Sequence, residues 1–455
     1  MPATVIERPQ KALLALCIAA FLVPFMGSAL NLALPEISKA FHVKAVTLTW
    51  MATAYMLSTA VFQIPFARMG DLIGRKKVLI LGLSGVSICT FLSGFAFSGA
   101  MIIALRAATG LCSAMMFGTN IAILSSLFPR EKRGMILGIN TAVVYGALSV
   151  GPYIGGVLTH FFGWRSIFFV CTAVGLTAAG LAHFFIKGEW TEAKGEKFDY
   201  LGSAVYGMAL TGIITGCTLL PAVSGFILMA AGMVAFTCFV RYEQRCASPV
   251  FDVRLFSRNR VFALSSLAAL INYASTSAVI FMLSLYLQYL RGFNAQHAGM
   301  IIICQAFVQT VVALFSGRLS DRFSPAWLAT VGMGVIVAGI IGLIFLGMDT
   351  PVGTIIFLLL LLGIGFGIFS SPNTNVIMGS VEKKHYGQAS AVTGTVRNAG
   401  QALSMGIAGM VIALQIGNQQ ITPAVHPQFL LSMKITFVIF AVLCTVGVFA
   451  SAKRR

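Results

Sequence analysis

Six polar side chains stand inside long apolar runs of this 455-residue chain, and the chemistry they offer is recognition rather than bond cleavage. A guanidinium or a carboxamide taken out of water needs a hydrogen-bonding partner, which is either another part of the protein or a bound molecule. We therefore predict that these groups contact a ligand or couple its movement to that of an ion. They are two arginines and four amides: Arg106, Arg397, Asn31, Gln63, Asn272 and Gln305.

Residues for hydrolysis or metal binding form no familiar pattern. The thirteen Asp and Glu residues fall in loops or at the ends of apolar runs, no H-E-x-x-H or C-x-x-C sequence occurs, and the nine cysteines suit small packing positions. We expect neither an enzyme nor a bound metal or cofactor. The six histidines are scattered over loops and helix ends: His42, His160, His183, His297, His385 and His426.

The composition requires a membrane protein. Hydrophobic residues make up 58% of the chain and charged residues only 10%, whereas charged residues are about a quarter of a soluble protein. A run of about 20 apolar residues crosses the hydrocarbon core as a helix, so the predicted fold class is all-α integral membrane with fourteen transmembrane helices. The predicted spans are 12–33, 47–67, 78–97, 100–124, 135–158, 165–186, 200–220, 223–241, 262–288, 298–316, 326–346, 353–372, 391–415 and 430–450.

The formal net charge of +18 is concentrated on one side of the membrane. With an even number of helices and both termini inside, the loop cations that fall outside are Lys39, Lys44, Arg165, Arg291 and Lys434. This asymmetry is the positive-inside rule, and it predicts a multi-pass protein of the cell (inner) membrane with both termini cytoplasmic. Basic loops lying against a lipid bilayer account for the charge, so we expect no nucleic-acid partner.

A short charged loop between the second and third runs organises the chain. It reads Gly70-Asp71-Leu72-Ile73-Gly74-Arg75-Lys76-Lys77 and is predicted to be a tight hairpin turned by its two glycines. A weaker copy, Gly317-Arg318-Leu319-Ser320-Asp321-Arg322, follows 247 residues later. The copies coincide if two helices are inserted between equivalent six-helix halves. The predicted division is 1–186 for one half, 187–260 for the linker and inserted helices, and 261–455 for the other half.

The fifth run carries the glycines of a helix that rocks or seals against a neighbour. Gly151 and Gly155 lie one turn apart, Pro152 removes a backbone donor, and Gly146 and Gly156 flank them. We predict that these five residues and the charged loop together control the conformation of the protein. The gating residues in the loop are Gly70, Asp71, Gly74 and Arg75.

Three of the polar groups have structural alternatives at this point. Arg106 lies within two turns of the start of its run, so its side chain could instead extend to the outer interface. Arg397 could equally be an interfacial arginine near the inner end of its helix. The Asn31 amide could serve a hydrogen bond between helices rather than a ligand.

Together these motifs resemble the major facilitator superfamily, in particular its fourteen-helix drug:proton antiporter branch. The likeness covers nearly the whole chain and rests on the charged loop, on Leu105-Arg106-Ala107-Ala108-Thr109-Gly110 in the fourth run, and on the Gly146 to Gly156 segment. It implies a monomeric secondary transporter that exports small amphipathic molecules by alternating access in exchange for protons, as multidrug-efflux and antibiotic-resistance proteins do. It also implies that Asp71 latches the two halves and that Arg106 takes part in proton or substrate coupling.

One departure from the family pattern bears on the ion and the substrate. This branch usually has an acidic residue five positions before Asn31, where this chain has Met26, so no intramembrane carboxylate stands ready as a proton carrier. Because burying a cation without a counter-charge is costly, we expect neutral, zwitterionic or anionic amphiphiles, attracted by Arg106. The alternatives are lipid or glycolipid flipping by the same fold, a transport-inactive membrane sensor and a membrane enzyme.

Overall fold

The computed structural model describes residues 9–128, 130–191, 195–220, 222–246, 249–251, 253–320, 323–381, 386–417 and 419–454. Asp321 and Arg322 of the second charged loop lie outside these residues. Within them the chain forms fourteen long α-helices and one short one. They are α1 (Pro9–Phe41), α2 (Ala45–Ile73), α3 (Arg75–Gly94), α4 (Gly99–Leu127), α5 (Arg130–Phe162), α6 (Arg165–Phe185), α7 (Tyr200–Leu219), α8 (Val223–Glu243), α9 (Arg254–Arg258), α10 (Arg260–Leu285, followed by a π-helical turn, Tyr286–Leu290), α11 (Ala295–Leu319), α12 (Pro325–Ile344), α13 (Val352–Gly379), α14 (Tyr386–Gln415) and α15 (His426–Ala452).

Thirteen helices are long and apolar enough to cross a membrane, counted over the described residues. The remaining long helix, α14, is rich in Gly, Ser, Thr, Gln and Asn, and it packs against α2, α7, α10 and α15. A helix surrounded by other helices can carry polar residues that would be costly against lipid. The all-α membrane fold predicted from composition is confirmed, and each predicted run corresponds to one long helix.

Six helices at each end of the chain form two similar bundles. α1 to α6 pack on one another, as do α10 to α15, and the two sets meet where α2 contacts α14 and α5 contacts α11. The second helix of each set therefore contacts the fifth helix of the other, as a repeated arrangement would produce. We call the face where α1 begins and α15 ends the terminus face, and the opposite face the far face.

The two inserted helices lie beside only one of these contacts. α7 packs against both α2 and α14, and Tyr206 Oη donates a hydrogen bond of 3.1 Å to the Ala60 carbonyl. α8 packs on α7 and exposes large apolar side chains, among them Phe226, Ile227 and Val234. An apolar outer surface of this kind is what a helix in contact with lipid requires.

α1 is longer than its apolar run predicts. The predicted span of 12–33 stops before Pro35, whereas the helix continues through Pro24 and Pro35 to Phe41. Because proline lacks an amide hydrogen, Pro35 leaves the Asn31 carbonyl without its donor in the helix. Ser284 Oγ at the end of α10 donates to that carbonyl at 2.8 Å. The missing helical bond is thus replaced by one that ties α10 to α1.

Candidate functional site

Arg106 is buried inside the protein. Only 2% of the residue is exposed. Its Nε donates to the Met51 carbonyl at 3.2 Å, and its guanidinium carbon lies 4.4 Å from the centroid of the Tyr55 ring. Its Nη1 has no hydrogen-bond partner among the described residues. The side chain therefore faces protein and does not extend to the outer interface.

Two buried hydroxyl side chains belong to the same region. Tyr55 carries the Arg106 guanidinium on its ring, and Tyr55 Oη lies close to Ser113 Oγ, so these two hydroxyls are polar neighbours of each other. Ser113 follows Arg106 by seven residues on α4 and Phe117 follows it by eleven, so these side chains lie on one stripe of the helix. We call Arg106, Tyr55 and Ser113 the Arg106 cluster.

Arg397 approaches the same place from the other set of helices. Its guanidinium carbon lies 5.7 Å from the centroid of the Phe117 ring, and the side chain is half-buried. It is also close enough to Tyr55 for an electrostatic interaction. As the twelfth residue of the 30-residue α14, it lies in the middle third of the helix rather than at its inner end. Tyr55 therefore has Arg106 on its ring face and Arg397 in its wider electrostatic surroundings.

A pair of amides joins the two sets of helices. Asn398 Nδ2 donates to Gln63 Oε1 at 2.7 Å, and both side chains are buried. Gly394 makes room for this pair, because a Cβ at that position would lie 2.1 Å from Gln63 Nε2. Gln63 is a candidate from the sequence, whereas its partner Asn398 is not. Its position beside Arg397 in a polar, glycine-rich helix is the signal that could have found it.

The other candidate amides differ in their surroundings. Asn272 in α10 is fully buried and neither of its side-chain polar atoms has a described partner, while Gln305 in α11 is 6% exposed with an unpaired Oε1. An unpaired buried polar group costs about 1–3 kcal/mol, so both amides stay candidates for ligand contact. Asn31 is half-buried, and its bond to the other set uses its backbone carbonyl.

Hydroxyl groups form a second polar contact between the two sets. Ser149 Oγ lies 2.8 Å from both Thr310 Oγ1 and the Ala306 carbonyl oxygen, and Tyr145 Oη lies 2.6 Å from Ser370 Oγ. No motif in the sequence singles out these residues. Serine and threonine are common in membrane helices because their hydroxyls can bond to carbonyls of their own helix, so their type alone gives no signal.

Carboxylates lie outside this polar layer in the described part of the chain. Of those near a membrane-spanning segment, Glu36 lies furthest inside a helix, five residues before the end of α1. Met26, at the position where the family usually has an acid, is fully buried. Among the described residues, therefore, no carboxylate supplies a counter-charge to Arg106 or Arg397. The acids whose side chains the structure describes are Glu36, Asp71, Glu189, Glu196, Asp199, Glu243 and Asp349.

α1 and α10 close the far face. Besides the bond to the Asn31 carbonyl, Gln288 Nε2 donates to the Leu32 carbonyl at 3.3 Å and Tyr289 Oη donates to the Pro35 carbonyl at 3.4 Å. The donors come from the end of α10 and its π-helical turn, and the acceptors are backbone carbonyls around one proline. The sequence does not single out these donor residues either, although a proline within an apolar run marks carbonyls that need other donors.

Two glycines of α5 pack within their own set of helices. An added Cβ would lie 1.9 Å from Ser28 Oγ at Gly151 and 2.6 Å from Ala29 Cα at Gly155. Both neighbours belong to α1. These two glycines therefore let α5 approach α1 closely, as the sequence predicts for a close-packing helix face.

The rest of the α5 motif faces the other set or open space. An added Cβ at Gly156 would lie 2.5 Å from the Ala295 carbonyl oxygen of α11, and one at Gly299 of α11 would lie 2.5 Å from the Pro152 carbonyl oxygen. Nothing lies within 4 Å of the corresponding position at Gly146. Gly156 and Pro152 are thus the part of the motif that seals the two sets together near the far face.

The charged loop after α2 is a break of one residue rather than the predicted hairpin. Gly70 and Asp71 still belong to α2, and α3 begins at Arg75. Only Gly74 leaves the helical conformation, with a φ of 123° that side chains disfavour. Gly70 serves packing instead, because a Cβ there would lie 2.9 Å from Thr119 Cγ2 of α4.

The charges of this loop bond to their own six helices and to the linker. Asp71 Oδ1 accepts from Arg75 Nε at 2.8 Å, and Arg75 Nη1 donates to Ser126 Oγ of α4 at 3.3 Å. Glu189 of the linker accepts from the Lys76 backbone N–H at 2.8 Å. The predicted latch function of Asp71 between the two halves stays a prediction, since the partner seen here belongs to the same helix set.

Arg454 occupies a buried site at the terminus face. It is 5% exposed, its Nη1 donates to Ser265 Oγ at 3.1 Å and to Asn373 Oδ1, and its Nε donates to the Ser451 carbonyl at 2.9 Å. Burial lowers the pKa of this guanidinium to about 10, so it is still charged at neutral pH. These bonds join α10, α13 and α15.

The fold and the polar layer define the class of protein. Two six-helix bundles that enclose buried polar groups and meet tightly at one face form the architecture of a membrane transporter. The chain belongs to the Major Facilitator Superfamily, whose family model matches residues 16–405 and, in a second match, residues 265–453. This match does not distinguish the fourteen-helix branch from the rest of the family.

Relatives with known names are transporters and resistance proteins. The riboflavin transporter RibZ of Clostridioides difficile (strain 630) is 26% identical over 96% of this chain and 95% of that protein. The tetracenomycin C resistance and export protein of Streptomyces glaucescens is 26% identical over 90% of this chain and 77% of that protein. The multidrug efflux pump LfrA of Mycolicibacterium smegmatis is 25% identical over 89% of this chain and 81% of that protein.

Solved structures show the same fold. A bacterial homolog of the human lysosomal transporter Spinster, in an inward-facing and unoccupied conformation, superposes with a TM-score of 0.68 at 18% sequence identity. The similarity covers 99% of this chain and 98% of that chain. At this sequence identity the similarity establishes the fold and says nothing about the transported molecule.

Proposed function

We propose that this protein is a secondary active exporter of small amphipathic molecules, neutral, zwitterionic or anionic, which works by alternating access and exchanges its cargo for protons. The observation that carries the proposal is the polar layer between the two helix sets. In that layer Arg106 and Arg397 have no acidic counter-charge among the described residues. The relatives support the cargo class, since they are named for riboflavin transport, tetracenomycin C export and multidrug efflux.

The two helix sets act as the moving halves in this proposal. Residues 1–186 and 261–455 rock against each other, while 187–260 connect them and place α7 beside α2 and α14. The far face is held closed by the bonds between α1 and α10. In this proposal the terminus face is cytoplasmic, as its positive loops predict, and the bonds at the far face hold a state closed to the outside.

Exchange for protons needs a group that titrates. Because the described carboxylates lie outside the polar layer, the carrier in this proposal is an acid at a helix end. Glu36 of α1 is the described acid that lies furthest inside a helix and is half-buried. Replacement of Glu36 by Gln is therefore expected to remove the response of transport to a pH gradient while leaving exchange of cargo across the membrane intact.

Flux into proteoliposomes tests the proposal. Purified protein is reconstituted, and uptake of matched cationic, neutral and anionic amphiphiles is measured with and without a pH gradient. We expect uptake of the neutral and anionic compounds, faster with the gradient. Tight binding and transport of a permanent cation such as ethidium, with no gain from Met26→Asp, would contradict the substrate class; no flux of any compound would contradict transport.

Labelling of single cysteines tests the orientation. In a background without the native cysteines, Lys197→Cys lies in the exposed linker at the terminus face and Thr422→Cys lies in an exposed loop at the far face. We expect a membrane-impermeant maleimide to label position 422 in intact cells and position 197 only after lysis. Labelling at position 197 in intact cells would reverse the assigned direction of transport.

A further inference from the structure

We propose that α7 and α8 move with the second helix set, α10 to α15, and that the ion pair between Glu196 and Arg68 breaks whenever the two sets change orientation. The inference rests on the proposed rocking of the two sets and adds to it the role of the inserted helices. In the conformation described here the pair is formed. It therefore stabilises this conformation, in which the far face is closed, over the opposite one.

An apolar cluster at the terminus face attaches the inserted helices to the second set. Tyr206 of α7 and Phe239 of α8 lie in one group of buried side chains with Val250, Phe251 and Val253 of the loop that follows. We call this group the terminus-face cluster. Separating its side chains would expose apolar surface to water and leave cavities, so this attachment is expected to persist. Its members from the second set are Phe262, Ile377, Val381, Ala389 and Val392.

Aromatic rings continue the terminus-face cluster from the loop into α10. The ring centroids of Phe251 and Phe256 are 5.7 Å apart, and those of Phe256 and Phe262 are 5.1 Å apart. Asn259 adds hydrogen bonds to this packing. Its Oδ1 accepts from the Phe262 backbone N–H at 2.9 Å, and its Nδ2 donates to the Ser380 carbonyl just after α13. The end of the inserted segment is thus packed into the second set.

Contacts between α7 and the first set lie further from the terminus face. Tyr206 Oη donates to the Ala60 carbonyl at 3.1 Å, and Ala60 is at the middle of α2. Ile64 of α2, which also belongs to the terminus-face cluster, lies more than two turns before the end of that helix. Rocking displaces the ends of a helix further than its middle, so these contacts are compatible with both orientations of the sets.

The ion pair lies where the inserted helices meet the terminus-face end of the first set. Glu196 lies four residues before α7, and Arg68 is in the last turns of α2. The Glu196 side chain is 50% exposed, so water and salt screen its charge, and a pair of this kind contributes little to stability. A weak, exposed pair breaks before a buried apolar cluster does. We therefore expect the inserted helices to stay with the second set when the orientation changes.

Hydrogen–deuterium exchange tests the loss of the ion pair without a substrate. In Glu196→Gln we expect exchange of residues 195–199 to rise at least about threefold and that of residues 286–300, at the closed far face, to rise about twofold. Residues 250–262 should exchange as in the unmodified protein, because the terminus-face cluster stays intact. The charge-swapped variant, Arg68→Glu with Glu196→Arg, should restore the exchange rates of the unmodified protein.

Glu189→Gln is the matched control, since it changes an acid to an amide in the same linker. Glu189 accepts from the Lys76 backbone N–H at 2.8 Å, and both residues stay with the first set in this proposal. We expect no change in the exchange of residues 286–300. Salt at about 1 M screens exposed charges, so it should raise the exchange of the unmodified protein at residues 195–199 and 286–300 to that of Glu196→Gln.

Cross-linking tests whether the two partners have to separate. In a background without the native cysteines, Arg68→Cys and Glu196→Cys are joined by a bis-methanethiosulfonate reagent and later released with dithiothreitol. We expect exchange of residues 286–300 to fall at least about threefold in the cross-linked protein, and uptake of 5-(dimethylamino)naphthalene-1-sulfonate into proteoliposomes to fall more than about tenfold, until the link is reduced. The matched cross-link joins Asn259→Cys to Ser380→Cys within the second set and should change neither quantity.

The outcomes separate this inference from the proposed transport function. Unchanged exchange of residues 286–300 in both Glu196→Gln and the cross-linked protein overturns it. Faster exchange of residues 250–262 in Glu196→Gln also overturns it, because the inserted helices would then not be attached to the second set. Uptake at the unmodified rate by fully cross-linked protein overturns it too and leaves the transport function standing. Slower exchange on cross-linking, without uptake of any compound by the unmodified protein, supports the role of the ion pair and contradicts the transport function.

Discussion

The far face and the terminus face are held by different kinds of contact. At the far face the two helix sets are joined to each other, by uncharged donors on α10 that bond to carbonyls of α1 and by the packing of Gly156 against Ala295. At the terminus face the charged groups bond within a set, as Asp71 does with Arg75 and Arg454 does with Asn373.

The difference matches what each contact must do in a transport cycle. A contact between the sets has to break and re-form, and an uncharged hydrogen bond contributes only about 0.5–1.5 kcal/mol. A contact within a set has to persist, and removing one partner of a buried charged group is strongly destabilising. We therefore expect changes at the far face to shift the conformational equilibrium, and changes at buried terminus-face groups to alter stability.

The largest shift is expected from Gly156→Leu. A side chain there meets the Ala295 backbone, which cannot move aside as a flexible side chain does, and overpacking of this kind costs about 1–3 kcal/mol. The closed far face should lose stability by that amount and transport should fall more than about tenfold. Hydrogen–deuterium exchange of residues 286–300 should rise, because that segment lines the opened contact.

Gly146→Leu is the matched control on the same helix, since nothing lies within 4 Å of its added Cβ. Gly151→Leu is the contrasting variant, because it clashes with α1 of its own set and should lower thermal stability in every conformation. If the Gly156→Leu and Gly146→Leu proteins show the same hydrogen–deuterium exchange and the same transport rate, the assignment of Gly156 to the far-face seal is wrong.

A smaller shift of the same equilibrium is expected from the double variant Ser284→Ala and Gln288→Leu. It removes the donors to the carbonyls of Asn31 and Leu32, a loss of about 1–2 kcal/mol, or roughly tenfold in the closure equilibrium. Pro35→Ala should give part of this effect, because it restores an amide hydrogen that competes for the Asn31 carbonyl. Hydrogen–deuterium exchange of residues 30–36 measures the effect of both changes. Unchanged exchange in the double variant would show that these bonds do not hold the far face closed.

The same two faces show what the sequence could predict. Helix number follows from hydropathy, and the close-packing side of Gly151 follows from glycine spacing. The cost of a charge in lipid favoured a buried Arg106 but left the outer interface open, and the structure decides for burial. The bond from Ser284 to the Asn31 carbonyl joins residues 253 apart in the chain, and no local pattern specifies such a partner. Gly70 and Gly74 illustrate the same limit, since one packs on Thr119 and only the other breaks the helix.

Asp71→Asn is expected to slow transport several-fold without opening the far face. The substitution keeps the shape and removes the charge that faces Arg75, whose pairing here lies within α2 and the start of α3. If Asp71 latches the halves only when the terminus face closes, the substitution destabilises that other conformation and not the one described here. Hydrogen–deuterium exchange of residues 286–300 should then match that of the unmodified protein. Asp349→Asn, an exposed acid in a far-face loop, is the control. Normal flux in well-expressed Asp71→Asn protein would remove the latch from the mechanism.

The smallest effect on transport is expected from Arg454→Met, and it should come with a clear loss of stability. Without the guanidinium, Asn373 Oδ1 and Ser265 Oγ lose a donor inside the bundle, at a cost of about 1–3 kcal/mol. The apparent melting temperature should fall by several degrees, while flux per folded molecule is unchanged because α10, α13 and α15 move together. Lys453→Met, at the exposed neighbouring position, should change neither quantity. A loss of flux in Arg454→Met at unaltered melting temperature would show that this buried charge takes part in the motion. The contacts within a helix set at the terminus face could then no longer be regarded as purely structural.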